Sequence, residues 1–320
     1  MDGVLVCDKP AGMTSHDVVA RVRRLAGQRR VGHGGTLDPP ATGVLVLALG
    51  RATRLLPFLP MEPKRYLARV AFGAETDTLD ATGTVTATAE AGGLDEAAVR
   101  AALAGFLGHQ LQVPPMVSAV KVGGERLYAK ARRGESVERA ARPIVVHQLE
   151  LLAFDPGPID RGGNKRPPGP PRGSEGLAGP PGPPQSTGPL ATIAVTCSGG
   201  TYVRSLAADL GRALGTLAHL AELRRTAAGR FGERDAHQLA ELEALARAGG
   251  LTGAVLDPAA ALAGIAARPL TAAEAAALAT GRTLTPTGRG EPVAAIGPDG
   301  RLVAVIQDGA GRARPRVVLE

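Results

Sequence analysis

Arg30-Val31-Gly32-His33-Gly34-Gly35-Thr36-Leu37-Asp38-Pro39-Pro40-Ala41-Thr42-Gly43 sets one carboxylate within a run of glycine and proline. Gly34 and Gly35 before Asp38, and Pro39 and Pro40 after it, suit a turn with one fixed backbone path and the acid at its tip. Three chemical uses are open to an acid held this way: metal ligand, general base, or nucleophile at an electrophilic carbon. A metal site needs further ligands at recognisable spacing, and no HxxxH, Cys pair or carboxylate cluster accompanies Asp38; His33 stands alone. Taken by itself, the loop equally suits an Asp that only caps a helix or orders a turn.

Outward from this loop, Gly3-Val4-Leu5-Val6-Cys7 reads as a short buried strand ending at Asp8-Lys9-Pro10. A helix follows, capped by Thr14 or Ser15, with Val18, Val19, Val22 and Leu25 at helical spacing. Val44 to Leu49 is a second apolar strand directly after the loop, and Tyr66 to Phe72 alternates as a third. Ala97 to Leu107, Tyr202 to Leu214 and Leu242 to Ala248 read as helices; Pro143 to Phe154 and Ala191 to Cys197 read as strands. Elements mixed without regular alternation indicate an α+β class. From Pro156 to Pro189, Pro and Gly fill 20 of 34 residues, a composition that cannot pack a core and predicts a disordered insertion between two strands. The chain ends in a short helix after Leu270-Thr271-Ala272-Ala273-Glu274. Two alternating runs follow, Val293 to Ile296 and Leu302 to Ile306, with Pro298-Asp299-Gly300 as the hairpin turn. This predicts a small β-rich module of about 60 residues, too small for a second active site and suited to accessory binding.

The 320 residues are 44% hydrophobic, enough for a substantial core. No uninterrupted apolar run of about 18 residues occurs and no signal peptide opens the chain, so a cytoplasmic protein without membrane association is expected. Cys7 and Cys197 lie in apolar runs far apart and read as buried free thiols. A net charge of +7, from 37 basic and 30 acidic residues, favours a polyanionic partner. There is no Trp, and the three tyrosines, Tyr66, Tyr128 and Tyr202, each lie within four residues of Lys or Arg, as suits a base stacked on a ring with its phosphate held nearby. A nucleotide-phosphate cradle at Gly32 to Gly35 is disfavoured, because GxxxxGK[ST] is absent.

Four further segments complete a recognisable set: Asp8-Lys9-Pro10-Ala11-Gly12-Met13-Thr14-Ser15, Lys64-Arg65-Tyr66-Leu67, Val113 to Lys121, and Cys197-Ser198-Gly199-Gly200-Thr201-Tyr202-Val203-Arg204. With GHGGTLDPPATGVL and Ala218-His219-Leu220-Ala221-Glu222-Leu223-Arg224-Arg225, the chain strongly resembles the TruB family, tRNA pseudouridine synthases acting on the T-loop uridine at tRNA position 55. The resemblance runs in order from Gly3 to about Phe231. It implies a pseudouridine synthase fold, a central mixed and mainly antiparallel sheet flanked by helices, over residues 1–248. A linker at 249–267 and a PUA-like RNA-binding module at 268–320 would follow.

The resemblance implies a cofactor-free, metal-free reaction in which Asp38, Tyr66 and Arg204 are catalytic. Asp38 matches the family's catalytic aspartate. A carboxylate beside an anomeric carbon can attack it or stabilise its charge, and removal of a ribose proton is a second route. Arg204 matches the arginine that pairs with this aspartate, a role suited to a guanidinium fork. Tyr66 matches the tyrosine that stacks on uracil and takes the C5 proton. Tyr202 and Leu223 match active-site wall residues, and His33 matches the histidine that fills the place vacated by the flipped base. Lys9 with Pro10, and Lys121 with Ser118, match positions that shape the site or contact RNA. The implied partner is the T arm of tRNA, bound by a monomer with no obligate protein partner; a non-catalytic tRNA folding chaperone is the alternative. Gly34, Pro40, Gly199 and Val117 depart from the residues usual in the family. A second Thr-Leu-Asp, Thr78-Leu79-Asp80, followed by Ala81-Thr82-Gly83, makes Asp77 and Asp80 turn or substrate-loop candidates.

Overall fold

The computed structural model describes residues 1–116, 121–122, 125–126, 133, 137–157 and 188–319. Most of the expected Pro/Gly insertion, together with Ser118, Val117 and Tyr128, lies outside them. The chain divides into two compact units: residues 1–62 with 226–320, and residues 63–225.

In the first unit β1 (Gly3–Lys9) pairs antiparallel with β3 (Thr42–Leu49), Gly3 opposite Leu49 and Lys9 opposite Gly43. The short β2 (Val31–Gly34) also pairs antiparallel with β3, setting His33 opposite Leu47. Almost every residue of β1 and β3 is buried, which is why both read as continuous apolar runs without alternation. The intervening helix, Ser15–Leu25, is opened by Thr14 in a reciprocal capping box with Asp17, and it buries Val18, Val19 and Val22.

The second unit is built on β4 (Lys64–Phe72). The hairpin β5 (Ala74–Thr76) and β6 (Val85–Thr88) follows, then a helix at Glu96–Ala104 and strand β7 (Gly108–Gln112). Lys121–Val122 (β8) and Glu125–Arg126 (β9) form a further two-stranded pair. The long strands β10 (Arg142–Asp155) and β11 (Leu190–Cys197), a helix at Val203–Ala213, and β12 (Ala218–Ala228) complete it. The strand order is β12-β4-β11-β10-β7. β4 with β11, β11 with β10 and β10 with β7 pair antiparallel, Tyr66 standing opposite Val195. The alternating burial of β4 is the period-two pattern that marked it in the sequence.

The remaining elements return to the first unit. Phe231–Gly232 (β13) folds back on Ala227 and Ala228, and His237–Gln238 (β14) pairs parallel with β1, which makes the sheet mixed. A helix at Leu239–Arg247 follows. The stretch 249–267, expected as a linker, is tied to β1: Val4 N–H donates to Leu256 O at 2.9 Å and Leu256 N–H to Val4 O at 2.8 Å. The tail forms a four-stranded sheet of β15 (Ala267–Pro269), β16 (Val293–Ile296), β17 (Leu302–Gly309) and β18 (Arg312–Val318), with a helix at Ala272–Ala279 capped by Thr271 and Glu274. The hairpin at Pro298-Asp299-Gly300 forms as read, with Gly300 at φ +79°. Leu278, Val303, Ala304 and Ile306 form one apolar cluster of this tail. Leu302, Val305, Val317 and Leu319 join a second, with Val4, Val6, Val44 and Val46. The tail therefore shares a core cluster with β1 and with β3, the strand that follows the Asp38 loop.

Candidate functional site

Several bonds to its backbone hold the loop between β2 and β3. Gly35 and Gly43, at φ +90° and +99°, bracket it in a conformation that residues with a Cβ rarely adopt. Asp38 O accepts from Ala41 N–H at 3.1 Å, closing a turn whose tip is Pro39-Pro40. Ser15 Oγ donates to Leu37 O at 3.1 Å and accepts from Leu37 N–H at 2.9 Å, fastening the residue before Asp38 to the start of the first helix. Lys9, 0% exposed, donates from Nζ to Pro10 O (2.9 Å), Met13 O (2.6 Å) and Pro39 O (3.1 Å), and Gly12 N–H adds a bond to Pro39 O. A buried ammonium is costly unless its donors are satisfied, and here three carbonyls from two loops do so. Of the two roles open to Lys9, shaping the loop is the one this geometry provides. Lys9→Met is expected to strip those carbonyls of their ammonium donor, leaving Pro39 O only its bond from Gly12 N–H, and so to lower stability by about 1–3 kcal/mol in a denaturant titration and slow turnover with the loosened loop.

His33 lies on β2, half-buried, with its ring edge-on to His16. A side chain at Gly34 would meet the Met61 thioether, so Met61 fills the space beside this position. At the helix start, the Thr14 hydroxyl, then the Thr14 backbone N–H, hold the Asp17 carboxyl below its ordinary value. A carboxyl depressed by folding stabilises the fold above its unfolded pKa, and this contribution is lost as pH falls through the carboxylate range. Burial pushes the Cys7 thiol up to about 12, so it stays protonated and unreactive near neutrality.

In the second unit Tyr66 sits on β4, 7% exposed. Tyr202 precedes the helix Val203–Ala213. Its backbone is clamped by the buried Gln112 amide, whose Oε1 accepts from Tyr202 N–H at 2.7 Å and whose Nε2 donates to Tyr202 O at 3.1 Å. Leu223, half-buried, is on β12. Lys121 is on β8, and its side chain lies outside the described residues.

Arg204, 3% exposed, donates from a terminal nitrogen to Thr78 O at 3.0 Å and stands 3.7 Å from Asp80 Oδ2. Asp80 Oδ1 accepts from the Thr78 hydroxyl (2.8 Å), the Thr82 hydroxyl (2.5 Å) and Thr82 N–H (3.0 Å). Its turn is locked to β12: Leu220 N–H donates to Leu79 O, and Ala81 N–H to Leu220 O, both at 3.0 Å. Leu79 pays for this path with a left-handed backbone at φ 60°. The second Thr-Leu-Asp is thus a turn, as read, but one that delivers an acid to a buried guanidinium. Neither that partnership nor the Gln112 clamp has a signal in the sequence pattern beyond the repeated Thr-Leu-Asp. Asp80→Asn keeps the threonine bonds through its amide oxygen and removes only the charge facing Arg204. It is expected to lower stability by about 3 kcal/mol by thermal melting and to slow turnover while RNA binding persists.

The described residues thus group Asp38, His33 and Lys9 in one unit, and Tyr66, Tyr202, Arg204 and Leu223 in the other. Among them no three of His, Cys, Asp and Glu are clustered to hold a metal, and no helix is long and apolar enough to cross a membrane.

Comparison with known proteins matches residues 23–161 to the N-terminal domain model of the TruB family pseudouridylate synthases. Residues 204–259 match a tRNA pseudouridylate synthase B C-terminal domain, and residues 265–320 match a tRNA pseudouridine synthase II C-terminal model. The chain is 44% identical over 317 residues to tRNA pseudouridine synthase B of Thermobifida fusca, covering 99% of this chain and 98% of that protein. It is likewise 44% identical over 320 residues to the Mycobacterium bovis protein of that name, covering 99% and 95%. Among solved structures, a Cbf5-Nop10-Gar1 complex contains a chain that superposes with TM-score 0.70 at 26% identity, covering 99% of this chain and 85% of the other. An archaeal box H/ACA Nop10-Cbf5 complex gives 0.67 at 24% identity, covering 99% and 86%, a likeness of fold.

Proposed function

Because this chain belongs to the TruB family, we propose that it is a tRNA pseudouridine synthase that isomerises the T-loop uridine at position 55, with Asp38 as the group that opens the glycosidic bond. Full-length similarity to tRNA pseudouridine synthase B proteins supports the activity. The observation that supports the residue assignment is the Asp38 loop: Ser15 and Lys9 fasten its backbone on either side of the acid, at Leu37 and Pro39, and Ala41 N–H closes the turn on Asp38 O. An acid pre-set by its surroundings costs no reorganisation at the moment of reaction.

The target uridine first leaves the T loop, at a cost of a few kcal/mol in stacking and pairing. His33 takes the vacated place in the RNA. Asp38 then acts on the ribose and the N1–C1′ bond breaks, steadied by Arg204. The freed uracil turns against the Tyr66 ring, and C5 joins C1′. The C5 proton leaves through the Tyr66 hydroxyl and N1 regains a proton, so the product is an isomer of the substrate and the balance needs no redox partner. Tyr202 and Leu223 wall the base, and Lys121 contacts RNA. The reaction runs in the cytoplasm on a monomer without a protein partner.

The tail would add RNA affinity. Arg312, Arg314 and Arg316 are exposed along β18, the edge strand of its sheet. Replacing all three by Gln is expected to flatten the plot of log affinity for whole tRNA against log salt by a slope of about 2 to 3, read by filter binding. An unchanged slope would remove the tail from RNA binding.

The function is tested with unmodified tRNA transcripts. Conversion confined to the position-55 uridine, and abolished when that uridine is replaced by cytidine, is expected. Binding without any conversion would instead favour the chaperone reading.

A further inference from the structure

His16 is an exposed side chain in the first turn of the helix Ser15–Leu25. Its ring meets that of His33 at 5.2 Å between centroids, with the planes 84° apart. That is the edge-to-face arrangement aromatic rings prefer, because the positive edge of one faces the negative face of the other. Both rings stand on anchored backbone. His16 follows Ser15, whose hydroxyl exchanges two hydrogen bonds with Leu37, and the helix start is closed by the Thr14–Asp17 capping box. His33 is paired in register opposite Leu47. The separation of the two residues is therefore set by structure around them, and their rings meet in one geometry.

A half-buried histidine that must enter an RNA loop loses rotamer freedom when it does so, and that loss subtracts from the interaction it makes. A neighbour that already holds the ring removes part of the loss beforehand. We propose that His16 is a positioning residue for His33, holding its ring in the orientation in which it replaces the extruded uridine. This rests on the reading of His33 given above. His16 thereby acts on base extrusion and not on the chemistry at Asp38. His16 is exposed, and its ring contact is with His33.

The test is a double-mutant cycle on the full chain, with a T-arm stem-loop RNA as substrate. Single-turnover conversion at saturating RNA is compared for wild type, His16→Ala, His33→Ala and the double variant, with His16→Phe as the conservative control. His16→Ala is expected to slow conversion about three- to tenfold, the worth of one edge-to-face pair, with equilibrium RNA affinity changed far less. His16→Phe, which keeps a ring, should recover most of the rate. In the His33→Ala background, His16→Ala should cost nothing further. Full activity of His16→Ala, an equal loss in both backgrounds, or no recovery with Phe would each overturn the inference while leaving the reading of His33 intact. Full activity of His33→Ala would overturn that reading, and the inference with it.

Discussion

Asp38→Asn is expected to bind T-arm RNA as tightly as the wild-type protein and to convert it at least about 10⁴-fold more slowly, the scale of loss when a reacting group is removed from an enzyme. The change leaves the backbone frame of the loop in place. The turn is closed by the Asp38 carbonyl oxygen, and the neighbouring backbone is held by Ser15 at Leu37 and by Lys9 at Pro39; an amide side chain leaves all of these bonds in place. It removes the carboxylate chemistry: an amide neither attacks an anomeric carbon nor accepts a ribose proton as a carboxylate does. Mapping of pseudouridine in the RNA after a long incubation reads the result. A variant that binds poorly would instead place Asp38 in RNA recognition.

Tyr66→Phe is expected to give the second largest effect, a loss of about 10²- to 10⁴-fold, the usual range for a lost proton-transfer group. Only the hydroxyl is removed. The ring stays on β4, 7% exposed and in register opposite Val195, so stacking against uracil and RNA affinity should persist. Full activity would take Tyr66 out of proton transfer and leave it a stacking surface. Tyr66→Ala would lose both functions, so the difference between the two variants separates the hydroxyl from the ring.

Legibility in the sequence followed how local each feature is. The strands at Val4, Val44 and Tyr66 and the first helix were readable, since their apolar spacing is a local record of burial. Strand β12 was not. Ala218–Ala228 carries Glu222, Arg224 and Arg225 and little β-branched character, yet Arg225 is fully buried there, so tertiary contacts override local propensity. The two-residue β14 is likewise a product of pairing with β1 and has no pattern of its own. The site divides in the same way. The Asp38 turn was legible because glycine and proline write backbone geometry directly into the chain. The Arg204–Asp80 pair was not, because Thr78 O and the guanidinium it receives are 126 residues apart. The repeated Thr-Leu-Asp was the one available signal, and it pointed only to a turn.

In the proposed reaction Asp38 opens the glycosidic bond of the target uridine. The most direct test of this step is release of tritium from uracil C5 in a tRNA transcript, measured for wild type and Asp38→Asn at equal RNA occupancy. Release by the wild-type protein and none by the variant is the predicted result. No release by the wild type would contradict the synthase function, and equal release by both would show that another group opens the bond.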